Sequence, residues 1–244
     1  MIGINAKGWR VSRSMDVREH FGEIDIYLFD QLLKGRIRPG MRILDAGCGR
    51  GRNLVFFLRE GYDVFAVDRS PEAVEEVRKL AAGIHSREQE ERFRCEPIEK
   101  LSFANDTFDF VICSAVLHFA ENDKHFGEMV GELWRVLKPG GVLFTRLASG
   151  IGMEALMRPL GGGRYSLPDG SERYLADAAQ LHRLTERLHG QFLEPLKTVQ
   201  VEGLRCMTTW CLKKPHILFF DPIEEGTGES IQGEPPGGKG EESQ

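Results

Sequence analysis

Two aspartates and three glycines carry the first chemical signal in this chain. The segment 42–53, RILDAGCGRGRN, places Asp45 just before Gly47, Gly49 and Gly51. An apolar run that stops at a glycine-rich turn and leads into a helix lets a ligand approach the backbone and meet the helix N-terminus. A dinucleotide fingerprint needs G-x-G-x-x-G, and its third position is Arg52 here; the P-loop pattern G-x-x-x-x-G-K-S/T does not occur. A carboxylate at position 45 repels a pyrophosphate and attracts an ammonium group. Asp68 ends the next apolar run, YDVFAVD, about 20 residues on, where an acidic side chain accepts hydrogen bonds from ribose hydroxyls. The two aspartates suit a nucleoside that carries an amino-acid end and no phosphate.

The surrounding elements must position these groups. Residues 17–36 read as one helix with Phe21, Ile24, Leu28, Leu32 and Leu33 close to one stripe. MRILDAG follows as a buried strand, then a helix from about Gly51 to Gly61, then the strand YDVFAVD. Ser70 and Pro71 open a helix to about Ala82, with Gly83 closing it. RFRCEPI and DTFDFVICSAV are strands three and four. Phe126, Met129, Val130, Leu133, Trp134 and Leu137 define an amphipathic helix, and VLFTRLAS is strand five. Strands alternating with helices imply an α/β, doubly wound, mostly parallel sheet. After residue 149 the spacing changes: a glycine-rich stretch, a hairpin about Asp169-Gly170, a helix marked by Leu181, Leu184 and Leu188, and two strands joined by a tight turn. The expected organisation is a helical segment 1–39 packed on the core, a main domain 40–220 with a substrate-side insertion at 150–175, and a disordered acidic tail 221–244.

Bulk properties narrow the class. The chain has 244 residues and a net charge of −5, which argues against a nucleic-acid or anionic-membrane partner. No apolar run reaches the roughly 18 residues of a membrane span, and the N-terminus lacks the apolar core of a signal peptide. Five cysteines without framework spacing suit a reducing, cytoplasmic setting. Cys206 and Cys211, with His216 nearby, invite a metal reading, but five positions apart on one strand they face opposite sides. No metal is expected, and the oligomeric state is left open.

S-adenosylmethionine has the ribose, adenine, ammonium and carboxylate that the aspartates call for. The chain also resembles the class I S-adenosylmethionine-dependent methyltransferases through four ordered motifs: ILDAGCGRG, VFAVDRSPEAV, PIEKLSFANDTFDFVICSAVLHF and ELWRVLKPGGVLF. The resemblance covers about residues 40–149 and implies a seven-stranded Rossmann-like sheet with an antiparallel last strand. It implies that Asp45 and the backbone of Gly47, Cys48 and Gly49 hold the methionine end, that Asp68 holds the ribose, and that Arg69, Ile98 and Glu99 flank the adenine. The segment EPIE departs from the small residue the family more often has after its acidic one. Ser114 would face the methionine moiety. Gly51 has a plain alternative in helix packing, Asp68 in capping the next helix, and Ser114 in ending a strand.

Methyl transfer from a sulfonium is a direct displacement, and a base is needed only for a protonated acceptor. His118 is the candidate base; a packing histidine is the alternative. The chain lacks the D/N-P-P-Y/F run of amino-directed DNA methylases and the Pro-Cys pair of cytosine-C5 enzymes, which favours a small-molecule acceptor. GCGRGRN followed by GYDVFAVDRS is similar to tellurite-resistance-type methyltransferases, which implies an oxyanion acceptor. Arg50 and Arg52 at the helix N-terminus suit an anion, with ordinary exposed arginines as the alternative. Arg52, Arg146, Met153 and Tyr165 are the candidate acceptor-lining residues, with Trp9 and His20 closing the other side. His182 and His189 read as solvated. A non-catalytic cofactor-binding or partner-binding module on the same fold is the alternative function. A nicotinamide oxidoreductase is the third, against which stand the glycine spacing and the lack of a Tyr-x-x-x-Lys pair.

Overall fold

The computed structural model describes residues 16–84 and 90–216, and the backbone of a short antiparallel pair formed by Gly3–Ile4 and Arg10–Val11. Trp9 and the tail 221–244 lie outside the described residues. The central sheet is built on β1 (Arg42–Ala46), β2 (Asp63–Asp68), β3 (Phe93–Cys95), β4 (Phe108–Ser114) and β5 (Leu137–Ala148). These five pair in parallel in the order β5-β4-β1-β2-β3. The order reverses between β1 and β4, and ligands bind at such a switch point beyond the carboxyl ends of the strands.

The strands are apolar on both sides because helices cover both faces. Neighbouring residues of one strand enter different cores: Ile43, Phe110 and Ile112 join one cluster, while Leu44, Val111 and Cys113 join the other. The first core lies under α2 (Ile26–Leu33), α3 (Val55–Arg59) and α4 (Pro71–Ile84), through Leu28, Phe57, Leu58, Val74 and Val77. The second lies under α5 (Asp123–Val136) and α6 (Ala178–Arg187), through Phe126, Met129, Leu133, Leu181 and Leu184.

The helix expected over 17–36 is two helices. α1 (Val17–Phe21) stops at Gly22, whose φ of +65° only glycine adopts readily, and Asp25 then caps α2 by accepting from the Tyr27 N–H at 2.9 Å. The helix expected from Gly51 starts only at Val55, after a turn closed by Leu54 N–H on the Gly51 carbonyl.

Beyond β5, a separate small sheet is formed by β6 (Arg158–Gly161), β7 (Arg164–Ser166) and β8 (Glu172–Tyr174). The β7–β8 hairpin turns at Asp169-Gly170 as expected. Tyr174 ties this sheet to α5, stacking on Phe126 at 4.6 Å and donating to Asp123 Oδ1 at 2.7 Å. The main sheet is completed by β9 (Gln191–Phe192), β10 (Lys197–Val201) and β11 (Arg205–Lys213). β11 runs antiparallel to β5, and β9 and β10 share its outer edge. The sheet therefore has seven positions but eight strands: Pro195, which has no N–H to donate, lies in the gap between β9 and β10.

Candidate cofactor and acceptor site

The switch point opens into two adjoining cavities. The smaller, about 260 Å³, is lined by Asp68, Arg69, Ile98, Glu99, Phe119 and Met129 among others. The larger, about 670 Å³, is lined by Cys48, Arg52, Ser114, His118, Arg146 and Arg173 among others. Gly47, Gly49 and Ala115 belong to both walls.

The glycine turn owes its path to the strand beside it. Gly47 and Cys48 donate to the Val67 carbonyl at 2.8 and 3.0 Å, and Gly49 donates to Asp68 Oδ2 at 2.9 Å. The other Asp68 oxygen accepts from the Ser70 N–H at 2.9 Å. Asp68 thus fixes the turn and the entry to α4 while lining the smaller cavity, and Ser70 is the helix cap, its hydroxyl accepting from Ala73. The three glycines differ in purpose, although all have positive φ. A Cβ on Gly47 would stand 2.4 Å from Val116, and one on Gly51 would press on Leu80 and Val77 at 3.0 and 3.1 Å. Gly51 therefore serves helix packing. A Cβ on Gly49 meets nothing within 4 Å and would project into open space at the turn.

Asp45 lies buried beneath the turn, at 1% exposure, and its Oδ2 has no hydrogen-bond partner. Burial pushes its pKa up to about 7, against the pull of Arg52 and with a further push from Asp68. A buried carboxylate oxygen left unpaired is a costly group that a bound cation would satisfy. The Cys48 thiol is pushed well above its usual range by burial and the nearby carboxylates, so it is no nucleophile here.

The smaller cavity gathers the residues expected around a nucleoside: Asp68, Arg69, Ile98 and Glu99. The Glu99 carboxylate lies 3.5 Å from His125 Nε2. Asp45 lines neither cavity and sits under the turn, whose Gly47, Cys48 and Gly49 N–H groups are already engaged; the unpaired Asp45 oxygen, the open face of Gly49 and the Asp68 carboxylate fit the ammonium, backbone and ribose of S-adenosylmethionine.

Four residues of the larger cavity's wall are held by one that sequence reasoning missed and that does not itself line the cavity. Asp25 Oδ2 receives Arg146 at 3.0 Å, Arg52 at 3.5 Å and the Ser114 hydroxyl at 3.2 Å, and its own N–H donates to Asn53 Oδ1 at 3.0 Å. Arg146 lies over the Tyr27 ring at 5.1 Å. Ala115, beside Ser114, has a φ of +64° and donates to the Arg146 carbonyl at 2.7 Å. A non-glycine residue in that region is strained, and such strain collects at ligand sites.

His118 is buried, and its Nδ1 accepts the Ala148 N–H at 3.2 Å. Burial and the neighbouring Arg173 push its pKa down to about 4. The neutral ring then carries its proton on Nε2 and has no free lone pair, an arrangement that makes it a donor where a general base was expected.

Other expected residues fall elsewhere. Met153 is buried and receives the Gln200 side chain on its sulfur, and Tyr165 packs with Ala148, Leu167 and Leu175; neither lines the two cavities described above. From the same insertion, Leu167, Asp169, Ser171 and Arg173 line the larger cavity instead. His20 packs against Phe21 and Phe56 on α3, while Glu23 lines the cavity. Arg50 extends into solvent and pairs with Glu76 at 3.3 Å. His182 and His189 are exposed. Cys206 meets Ser149 and Cys211 meets Gln31 on opposite sides of β11, and no metal-binding cluster occurs among the described residues. No helix there is long and apolar enough to cross a membrane.

A family model described as a methyltransferase domain matches residues 44–145. The chain is similar to the malonyl-(acyl-carrier protein) O-methyltransferase of Enterobacter lignolyticus, 34% identical over 109 residues, covering 44% of this chain and 39% of that protein. It is 29% identical over 183 residues to the human thiol S-methyltransferase TMT1B, covering 72% of this chain and 68% of that protein. Among solved structures, a SAM-dependent methyltransferase from Methanosarcina mazei superposes with a TM-score of 0.61 at 21% identity, covering 75% of this chain and 97% of that one. The chain spans only about a third to a half of the length of the first curated relatives it matches. Residues 44–145 are thus similar in sequence to a methyltransferase domain, and the sheet around them has the fold of a SAM-dependent methyltransferase.

Proposed function

We propose that this domain transfers a methyl group to a small-molecule acceptor seated in the 670 Å³ cavity. The observation that carries this reading is the shared wall of Gly47, Gly49 and Ala115, which sets a nucleoside-sized cavity directly beside a larger one. When bound, S-adenosylmethionine supplies a methyl group on a positively charged sulfur, open to direct displacement. Asp45 and the turn hold the methionine end, and Asp68 holds the ribose. Asp25 fixes Arg52, Arg146 and Ser114 at the entrance to the acceptor side. Orientation of this kind is worth ~7–11 kcal/mol of barrier. His118 donates through Nε2 to the acceptor and positions it. With no base free on that ring, the acceptor's proton, where it has one, leaves to water.

Two measurements test the reading. Calorimetry with S-adenosylhomocysteine is expected to give saturable heat that Asp68→Ala removes. A methyl-donor assay over a small-molecule library is then expected to yield a methylated product. Absence of heat would leave a partner-binding module on the same fold, and transfer to RNA or protein alone would overturn the acceptor class.

A further inference from the structure

The larger cavity carries a charge opposite to that of the chain. Five arginines, Arg50, Arg52, Arg146, Arg173 and Arg205, line it against the two carboxylates of Glu23 and Asp169. The protein as a whole is at −5. Three of these arginines are already paired: Arg52 and Arg146 share Asp25, and Arg50 pairs with Glu76. Arg173 and Arg205 form no ion pair among the described residues.

These two guanidiniums come from different elements. Arg173 sits on β8, where its Nη1 donates to the Glu172 carbonyl at 2.8 Å and its Cζ lies 5.1 Å from the Phe119 ring centroid. Arg205 opens β11, opposite Val201 in the hairpin. Both are felt by Asp169, whose Oδ1 is already engaged by the Ser171 N–H at 2.9 Å and hydroxyl at 2.6 Å. Two guanidiniums against the one Asp169 carboxylate leave a net positive charge on this wall. The buried His118 adds an Nε2–H donor to the same cavity. Leu167, Val201 and Met207 line it too, and an apolar surround strengthens each charge–charge contact. The planar fork of a guanidinium matches a carboxylate or other oxyanion, with two N–H groups meeting two oxygens.

We infer that the methyl acceptor is a small anion, held through its carboxylate or equivalent oxyanion group by Arg173 and Arg205. The inference rests on the reading of this cavity as the acceptor site. Phe119 fixes Arg173 by its ring face, and Asp169, within the electrostatic reach of both arginines, pairs with neither.

Saturation-transfer NMR on the full chain in excess S-adenosylhomocysteine tests it, with benzoate as the anionic probe and benzamide as its neutral isostere. Benzoate is expected to receive saturation, and benzamide much less. Losing one charge-assisted contact is expected to weaken benzoate about tenfold in Arg205→Ala and in Arg173→Gln, with partial recovery in Arg205→Lys. Arg205 is exposed, so its variant reads the site even where Arg173→Gln folds poorly. Equal signals from the two probes, or benzoate signals unchanged in both variants, would overturn the inference. The S-adenosylhomocysteine affinity, measured on the same samples, keeps the two ideas apart. Benzoate selectivity without S-adenosylhomocysteine binding upholds the anion site and defeats methyl transfer; S-adenosylhomocysteine binding without selectivity does the reverse.

Discussion

The Asp25 carboxylate meets the Arg146 guanidinium at 3.0 Å across 121 positions of sequence, with Arg52 and Ser114 sharing the same oxygen. This contact ties the start of α2 to the end of β5 directly under the acceptor cavity. Asp25→Asn keeps a side-chain acceptor for the Tyr27 N–H but removes the charge that Arg52 and Arg146 share. The expected loss is about 2 kcal/mol, below the ~3–5 kcal/mol typical of a fully buried pair, because the two guanidiniums retain partial contact with water. Urea denaturation checks it, as a lowered midpoint at unchanged slope. An unchanged midpoint would show that the network contributes nothing to stability.

Gly47 and Gly49 separate folding from binding. In Gly47→Ala the new methyl overlaps Val116 at 2.4 Å, so stability falls by more than the ~1 kcal/mol that positive φ alone costs an alanine. In Gly49→Ala the methyl meets no protein atom within 4 Å, so the loss stays at ~1 kcal/mol while S-adenosylhomocysteine affinity drops. Paired denaturation and calorimetry on the two variants distinguish them. Equal binding loss at equal stability would contradict the assignment.

Asp45 makes cofactor affinity depend on pH. Its carboxyl stays protonated up to about 7 in the free protein. A bound ammonium favours the ionised form, so binding below that pH must expel a proton. The affinity for S-adenosylhomocysteine is expected to weaken up to about tenfold per pH unit as the pH falls below this value. Calorimetry in buffers of different ionisation enthalpy should detect the released proton at pH ~6, and Asp45→Asn should abolish the release. A release that persists in the variant assigns the proton to another group.

His118 and Asp45 pull stability in opposite directions with pH. His118 titrates near 4 when folded and near its ordinary 6.5 when unfolded, so the unfolded chain takes up the proton first and stability falls on acidification through that window. Asp45 titrates near 7 when folded and near 3.8 when unfolded, so its contribution falls as the pH rises through that window. The two slopes oppose each other in the wild type. Relative to it, Asp45→Asn should gain stability with rising pH, and His118→Gln should lose it, each at up to ~1.4 kcal/mol per unit. Denaturation midpoints over a pH series would refute this by showing the two variants parallel.

The proximity of the candidate cofactor residues was legible because it is local. Asp45, the glycines and Asp68 occupy the ends of two adjacent parallel strands, so motif spacing alone places them together. That of the acceptor side was not: Arg173 and Arg205 reach the larger cavity from β8 and the β10–β11 hairpin, and Asp25, which does not line it, meets Arg146 across 121 positions of sequence. Met153 and Tyr165 were chosen from the right segment, but the turn at Asp169 presents Leu167, Asp169 and Ser171 to the cavity instead. Arg52 and Arg146 were found by type, while the carboxylate that fixes them sits in a stretch that reads as plain amphipathic helix. The split of the sheet's outer position into β9 and β10 was foreshadowed only by Pro195.

The seam between the two cavities contains two glycines and Ala115, so no side chain there exceeds a methyl group. A single molecule that joins an adenosine to an anionic acceptor mimic would meet only these small residues at the boundary. Each half would raise the effective concentration of the other at its own cavity, so a linker of matched length should bind far more tightly than either fragment. The smallness of the three shared residues thus favours a tethered inhibitor as much as it favours methyl transfer.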